Sequence, residues 1–260
     1  MSNKLRFVDW NPWPVEYISP FWELPRWVEP LEQTLVIGSP SEDYLGFLST
    51  DSPETMIYTE NLPPDLPKVR YWVPKEMKGG GIGIMGSDDL LIFGHFSKDK
   101  DVSKLVKILL SSVATALAGS GIKVQLSPYR PNANDLYIQI GDKLKKCFGC
   151  GFIDMGDWYT LTSMLTFDFR IDLIRKLWRL DGEKIIKKGD VSDMADIVGG
   201  LSEIAPDIDK NKVANDIAVE LAKRLNLDLS VGQFTDVEMQ KMDELKPTLN
   251  SDKWFFNLER

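Results

Sequence analysis

The sequence predicts an α+β fold: a largely antiparallel mixed sheet flanked by helices. Strand-like runs dominate as far as Phe169 and helical periodicity takes over from Ile171, an order that separates strands from helices instead of alternating them. Turn sequences such as Gly86-Ser-Asp-Asp89 and Gly141-Asp142-Lys143 join consecutive strand-like runs, which favours hairpins. With 43% hydrophobic residues over 260 positions, a sizeable core is available.

Residues 1–33 are rich in tryptophan and proline (Trp10, Trp13, Trp22, Trp27; Pro12, Pro14, Pro20, Pro25, Pro30), which predicts an extended cover packed by its aromatics. Thr34–Gly38 reads as a short strand, and after a polar loop Val69–Val73 reads as another, ending at Pro74. The triplet Gly79-Gly80-Gly81 therefore hangs from a strand end. Ile82–Met85 and Leu90–Phe96 are expected to form a hairpin about Gly86–Asp89. Gly81-x-Gly83-x-x-Gly86 matches the dinucleotide fingerprint in letters, but a strand follows where that fingerprint needs a helix N-terminus.

Asp101 caps a predicted helix with apolar positions from Val102 to Leu117, closed by Gly119. Strands are expected at Ile122–Leu126, Leu136–Ile140, Leu144–Phe152 and Trp158–Phe169, with a tight turn at Gly141–Lys143. Helices are expected at Ile171–Leu180, Ser192–Ile204 and Asp209–Leu225, then a short strand at Leu227–Val231. Thr235-x-x-Glu238 is a capping box that opens a last helix ending before Pro247. One domain over 1–231 with a C-terminal helical appendage over 232–260 packed on it is the simplest division.

A net charge of −8 argues against a sequence-independent grip on nucleic acid. No apolar run reaches the ~18 residues of a bilayer-crossing helix. The N-terminus, with Asp9, Pro12, Pro14 and Glu16, lacks a signal-peptide stretch, so a cytoplasmic location is expected. Cys147 and Cys150 are the only cysteines and His95 the only histidine. Residues three apart on a regular strand face opposite sides, so the two thiols read as buried small residues and no metal ligand is assigned. His95 lies inside a strand with no nucleophile motif beside it, and no P-loop occurs.

The chemistry resides in two clusters. Gly79, Gly80 and Gly81 let a ligand approach main-chain N–H groups, with Lys75 and Lys78 supplying positive charge at the same loop. Asn134-Asp135 precedes the predicted strand Leu136–Ile140, and Lys145-Lys146 with Gly149 follow on the next. Such a set can hold a carboxylic acid beside a nucleotide α-phosphate, where a compact ammonium screens one anion from the other. Lys146 is the candidate for that ammonium, since a regular strand turns Lys145 to the other face.

In this order the features resemble the lipoate-protein ligase family, within the biotin/lipoate ligase-like fold. That family carries an Arg-Arg-x-Ser-Gly-Gly-Gly loop after a strand, an Arg-Asn-Asp-Leu segment and a Lys-Ile-x-Gly-x-Ala segment. Here Gly79–Gly81, Asn134-Asp135-Leu136 and Lys146-Cys-Phe-Gly149-Cys-Gly151 stand in those places. The resemblance implies an enzyme that uses ATP and Mg2+ to turn lipoate or octanoate into an acyl-adenylate, then passes the acyl group to a lysine of a lipoyl-carrier domain. It implies Lys146 as the catalytic residue. Lys75, Lys78, Gly79, Gly80, Gly81, Asn134, Asp135 and Gly149 would bind substrate.

The chain also departs from the family. Lys75-Glu76-Met77-Lys78 replaces Arg-Arg-x-Ser, exchanging a bidentate fork for point charges and adding an anion, and Ala133 replaces the arginine before Asn-Asp. Two further readings follow: a repurposed member that binds an acyl ligand or a partner without catalysis, and a lipoyl or octanoyl transferase. Ser127 stands where thioester-forming transferases of this fold carry their cysteine.

Overall fold

The computed structural model describes residues 3–47, 69–71, 82–99, 101–127, 134–172 and 194–251. In chain order the main elements are β1 (Lys4–Asp9), α1 (Ile18–Glu23), β2 (Gln33–Gly38), β3 (Tyr44–Phe47), β4 (Val69–Tyr71), β5 (Ile82–Met85), β6 (Leu90–Ser97) and α2 (Val102–Gly119). They continue with β7 (Val124–Leu126), β8 (Asp135–Ile140), β9 (Lys143–Asp154), β10 (Trp158–Leu165), α3 (Lys210–Leu225), β11 (Asp228–Val231) and α4 (Asp236–Leu249). Eight strands form one sheet in the order β11-β1-β2-β6-β10-β9-β8-β7, and β4-β3-β5 form a small second sheet. β1 runs parallel to both β11 and β2, while every other pair in the large sheet is antiparallel. The architecture is the mixed α+β sheet that the sequence predicts.

Each face of the large sheet carries its own apolar cluster. On one, Leu5, Phe7, Leu35, Ile37, Ile92, Phe148 and Leu165 pack under α2 and α3. Asp101 caps α2 by accepting from the amides of Ser103 (2.8 Å) and Lys104 (3.3 Å), and Asp209 caps α3 through Lys212 at 3.1 Å. On the other face Val8, Val36, Leu91 and Phe93 meet Trp13, Phe21 and Trp22 of the N-terminal segment and Met242 of α4. Trp13 lies edge-on to Phe93 at 5.1 Å between centroids. The aromatic packing expected for residues 1–33 is thus present, but the segment is not extended: residues 15–26 coil through α1 and the short 3-10 turns on either side of it, and Trp27 stays 61% exposed.

Several expectations are corrected. β1 lies inside the stretch read as cover: Leu5 and Phe7 face one cluster and Val8 the other, so the strand is buried on both sides. β5 pairs with β3 and not with β6, so the turn at Gly86–Asp89 hands the chain from one sheet to the other. Ser192–Ile204 is not a helix over its described part. It holds two short 3-10 turns, Met194–Asp196 and Leu201–Glu203, broken at Gly199-Gly200. α4 opens on the expected capping box, with Thr235 Oγ1 accepting from the Glu238 amide at 3.2 Å, but it runs through Pro247 to Leu249. The predicted helix at 171–180 lies largely outside the described residues. Finally, α2 is long and apolar enough to cross a bilayer by length and composition, yet Leu105, Leu109, Val113 and Leu117 are buried under it in the core.

Two buried ionic arrangements fix the layers. Arg6 donates from Nη1 to Glu238 Oε2 (2.9 Å) and from Nη2 to Glu238 Oε1 (2.5 Å) and Thr34 Oγ1 (3.0 Å), tying α4 to the sheet. Burial pushes the Glu238 carboxyl up, but hydrogen bonds from Arg6 and Thr235 and the Arg6 charge outweigh it, so its pKa is lowered. Asp89 accepts from the amides of Gly86 (2.8 Å), Phe167 (2.8 Å) and Asp168 (3.3 Å), which pins the β5–β6 turn to the segment after β10. Burial pushes its carboxyl up to about 7, against those three amide donors.

Candidate functional site

β8 and β9 form a hairpin whose tight turn depends on Gly141 at φ 60°. Its register shifts once. Asp135 opposes Gly149 and Leu136 opposes Phe148, but Tyr137 opposes Lys146, leaving Cys147 as an extra residue in β9. This bulge changes the chemistry of the strand. In regular register Lys146 would oppose Ile138, which is fully buried in the cluster under the helices. One residue of slip moves it to the face that carries Asp135 and Gly149.

On that face the Lys146 ammonium lies 2.7 Å from Asp135 Oδ1, with the two side chains 39% and 24% exposed. Both groups sit over Gly149: a Cβ there would come within 2.8 Å of Lys146 Nζ and 3.1 Å of Asp135 Oδ1. Asn134 holds its place through the main chain, its carbonyl accepting from the Cys150 amide at 3.0 Å. Asp135, Lys146 and Gly149, all members of the second cluster, therefore converge on one patch of sheet. Lys145 turns away, opposing Ile138 and donating to Glu203 Oε2 at 3.2 Å. The lysine pair is split as strand alternation predicts, each member with its own carboxylate.

Lys75, Lys78, Gly79, Gly80 and Gly81 lie outside the described residues. The chain enters the described region at Ile82, where β5 begins against Phe47 of β3, directly after Gly81.

The cysteines flank the site without joining its chemistry. Both are free; Cys147 belongs to the apolar cluster under the helices and Cys150 packs against the same cluster. The bulge breaks the strict alternation that would have parted them. Burial pushes both thiols up to about 12, which keeps them protonated and poorly nucleophilic. His95 is a core residue, stacked on Phe21 at 4.2 Å with Nε2 3.0 Å from the Phe21 carbonyl, and burial drives its pKa down to about 3. Among the described residues no group of three or more His, Cys, Asp or Glu side chains comes together to hold a metal ion.

Sequence reasoning missed a charged cluster at the same end of the sheet. Arg170 pairs with Asp43 (3.3 Å), Asp88 (3.2 Å) and Asp168, and Lys210 donates to Asp88 Oδ1 at 3.2 Å. Burial disfavours the charged guanidinium, but its aspartate partners raise the Arg170 pKa. Asp43, Asp88 and Asp168 are scattered over more than 120 positions of the chain, so only the fold brings them together.

No family model and no curated protein matches the chain in sequence. Solved structures do match over nearly its whole length. A bipartite lipoate protein ligase from Thermoplasma acidophilum, described with its E2 lipoyl domain, superposes with a TM-score of 0.72 at 14% identity, covering 99% of this chain and 98% of that one. A T. acidophilum protein described as a putative lipoate protein ligase with bound lipoic acid gives 0.71 at 13% identity over 98% and 100%. A lipoate-protein ligase A bound with ATP gives 0.69 at 14% over 99% and 100%. The chain therefore has the biotin/lipoate ligase-like fold, with a sequence far diverged from these structures.

Proposed function

We propose that the chain is an ATP-dependent lipoate-protein ligase-like enzyme. The observation that carries this reading is the convergence of Lys146 and Asp135 over Gly149, and in the sequence the glycine triplet immediately precedes β5. In the first step a carboxylate oxygen of lipoate or octanoate bonds to the α-phosphorus of ATP and the bond to the pyrophosphate oxygen breaks. Two anions must approach each other, and the Lys146 ammonium screens their repulsion and the charge that builds on the phosphoryl oxygens. In the second step the amine of a carrier-domain lysine attacks the acyl carbon, AMP leaves, and the amine gives up a proton.

The relatives that hold lipoic acid and ATP in this fold support those substrates, and the one described with its E2 lipoyl domain supports a carrier domain as partner. Mg2+ fits as an ion that arrives on the triphosphate: one carboxylate plus phosphate oxygens is its usual protein environment, and Asp135 is the carboxylate at hand. The glycines at 79–81 are assigned to the acyl-adenylate, and Lys75 and Lys78 to its anionic groups. A cytoplasmic setting accords with two free thiols and no disulfide among the described residues.

The test is acid-dependent exchange of labelled pyrophosphate into ATP with lipoate or octanoate. Exchange that disappears in Lys146→Ala supports the enzyme. No exchange with any medium-chain acid or biotin favours the second reading, a repurposed acyl-ligand binder. Two features favour that alternative: the Lys146 charge is already neutralised by Asp135, and Glu76 adds an anion to the loop. A thioester-forming transferase is disfavoured by the buried, protonated thiols.

A further inference from the structure

β9 outruns its neighbour. It has 12 residues against 8 in β10, and their paired register ends at Leu165 and Phe148. The last main-chain bond on that side runs from the Thr166 amide to the Cys147 carbonyl at 2.8 Å. Beyond it the inner edge of β9, at the bulge and Lys146, would carry unpaired amide and carbonyl groups.

The segment around Met194–Glu203 fills that gap. The Lys146 amide donates to the Ile197 carbonyl at 2.8 Å, and the Gly199 amide donates to the Lys146 carbonyl at 3.0 Å, making a parallel bridge between Lys146 and Val198. The segment then crosses to the chain leaving β10, where Leu201 and Ser202 donate to the carbonyls of Thr166 and Phe167, both at 3.0 Å. Glu203 closes it, accepting from the Gly200 amide at 2.9 Å and from Lys145 Nζ at 3.2 Å. One strap thus holds the main chain of Lys146 at one end and the end of the neighbouring strand at the other.

The strap passes through a tight gap, closed by side chains at Gly199 and by main chain at Gly200. A Cβ at Gly199 would lie 2.6 Å from Ile140 Cδ1, 2.8 Å from Lys145 Cδ and 2.9 Å from Glu203 Oε1, all ends of side chains that can swing away. At Gly200 it would lie 2.4 Å from the Phe167 carbonyl oxygen and 3.0 Å from the Phe169 nitrogen, which are main chain and cannot. We infer that Gly199 and Gly200 are positioning residues: they let the strap reach β9 and hold the bulge in the register that turns Lys146 toward Asp135. This rests on the catalytic role proposed for Lys146, while its structural half stands apart from any activity.

The experiment uses the full chain carrying Gly200→Ala, with Gly199→Ala as the milder partner should the first fold poorly. Amide hydrogen exchange is followed at Lys146 and at Phe148, and pyrophosphate exchange is measured in parallel. The expected result is Lys146 amide exchange about tenfold or more faster in Gly200→Ala, a smaller change in Gly199→Ala, and Phe148 unchanged. In the kinetic arm kcat falls about tenfold with the KM for ATP held. Variants that melt as folded proteins and keep wild-type protection at Lys146 overturn the inference, as does protection lost equally across β9. If the wild type exchanges no pyrophosphate, that counts against the proposed function, and the hydrogen-exchange arm still decides the role of the strap.

Discussion

Lys146 stands across the sheet from Tyr137 and not from Ile138, and that single step of register decides whether its ammonium meets an aspartate or an apolar core.

Lys146→Ala removes an ammonium that is 39% exposed and paired to a partly exposed carboxylate. Ion pairs of that kind contribute at most about 1 kcal/mol to stability. The expected outcome is a loss of acid-dependent pyrophosphate exchange of about a hundredfold or more, with the urea midpoint almost unmoved. A large fall in stability with retained exchange would refute the role assigned to this side chain.

Gly149→Ala places a methyl group where Lys146 Nζ and Asp135 Oδ1 now meet. Both neighbours are ends of flexible side chains, so the fold adapts and the ion pair is displaced. Exchange activity should drop about tenfold while stability changes by less than about 1 kcal/mol. Unaltered activity would mean that the floor under the pair has no part in substrate binding.

Glu238→Gln leaves Arg6 buried, at 8% side-chain exposure, without its two-point partner. Removing one member of a buried pair costs about 3–5 kcal/mol. The low end applies here, because Thr34 and the Gln233 carbonyl still accept from Arg6. The pH dependence has a definite sign. The folded-state pKa of Glu238 is depressed below the ordinary glutamate value of 4.5, so its contribution is present above that value and is lost as pH falls through the lowered one. Urea titrations at pH 7 and at pH 3 measure both effects, and a variant as stable as the parent at pH 7 would contradict the prediction.

His95 drives acid sensitivity in a different window. Its pKa falls from 6.5 to about 3 on burial, so below pH 6.5 the unfolded chain takes up a proton that the folded chain refuses. Stability from this group then declines by about 1.4 kcal/mol per pH unit, or about 2 kcal/mol by pH 5. His95→Phe should flatten the difference in unfolding free energy between pH 7 and pH 5 by that amount. An unchanged difference would mean that the imidazole is charged in the fold.

The periodic elements were legible because their causes are local. α2 and α3 follow helical apolar spacing between an aspartate cap and a terminal Gly119 or Asn226, the latter left-handed at φ 55°. The Gly141 turn follows from glycine and β8 and β9 from β-rich runs. What escaped is set by tertiary contacts. Lys4–Asp9 became a strand because β2 and β11 offered both edges, and nothing within those six residues states that. Gly199-Gly200 interrupts a run with helical apolar spacing because a carbonyl of Phe167 lies against it. In the site, residue types and order were readable, so Lys146, Asp135 and Gly149 could be named. The bulge at Cys147 that unites them was not, since a one-residue slip leaves no mark in composition.

The placement of β1 has a consequence for biosynthesis. It occupies a slot between β2 and β11, and Arg6 pairs with Glu238 across a separation of 232 positions, so this strand is completed only by residues made long after it. Until then one margin of β1 offers free amides and carbonyls to any passing strand. Nascent or truncated chains that end before residue 228 should therefore self-associate or recruit chaperones more than the full chain does.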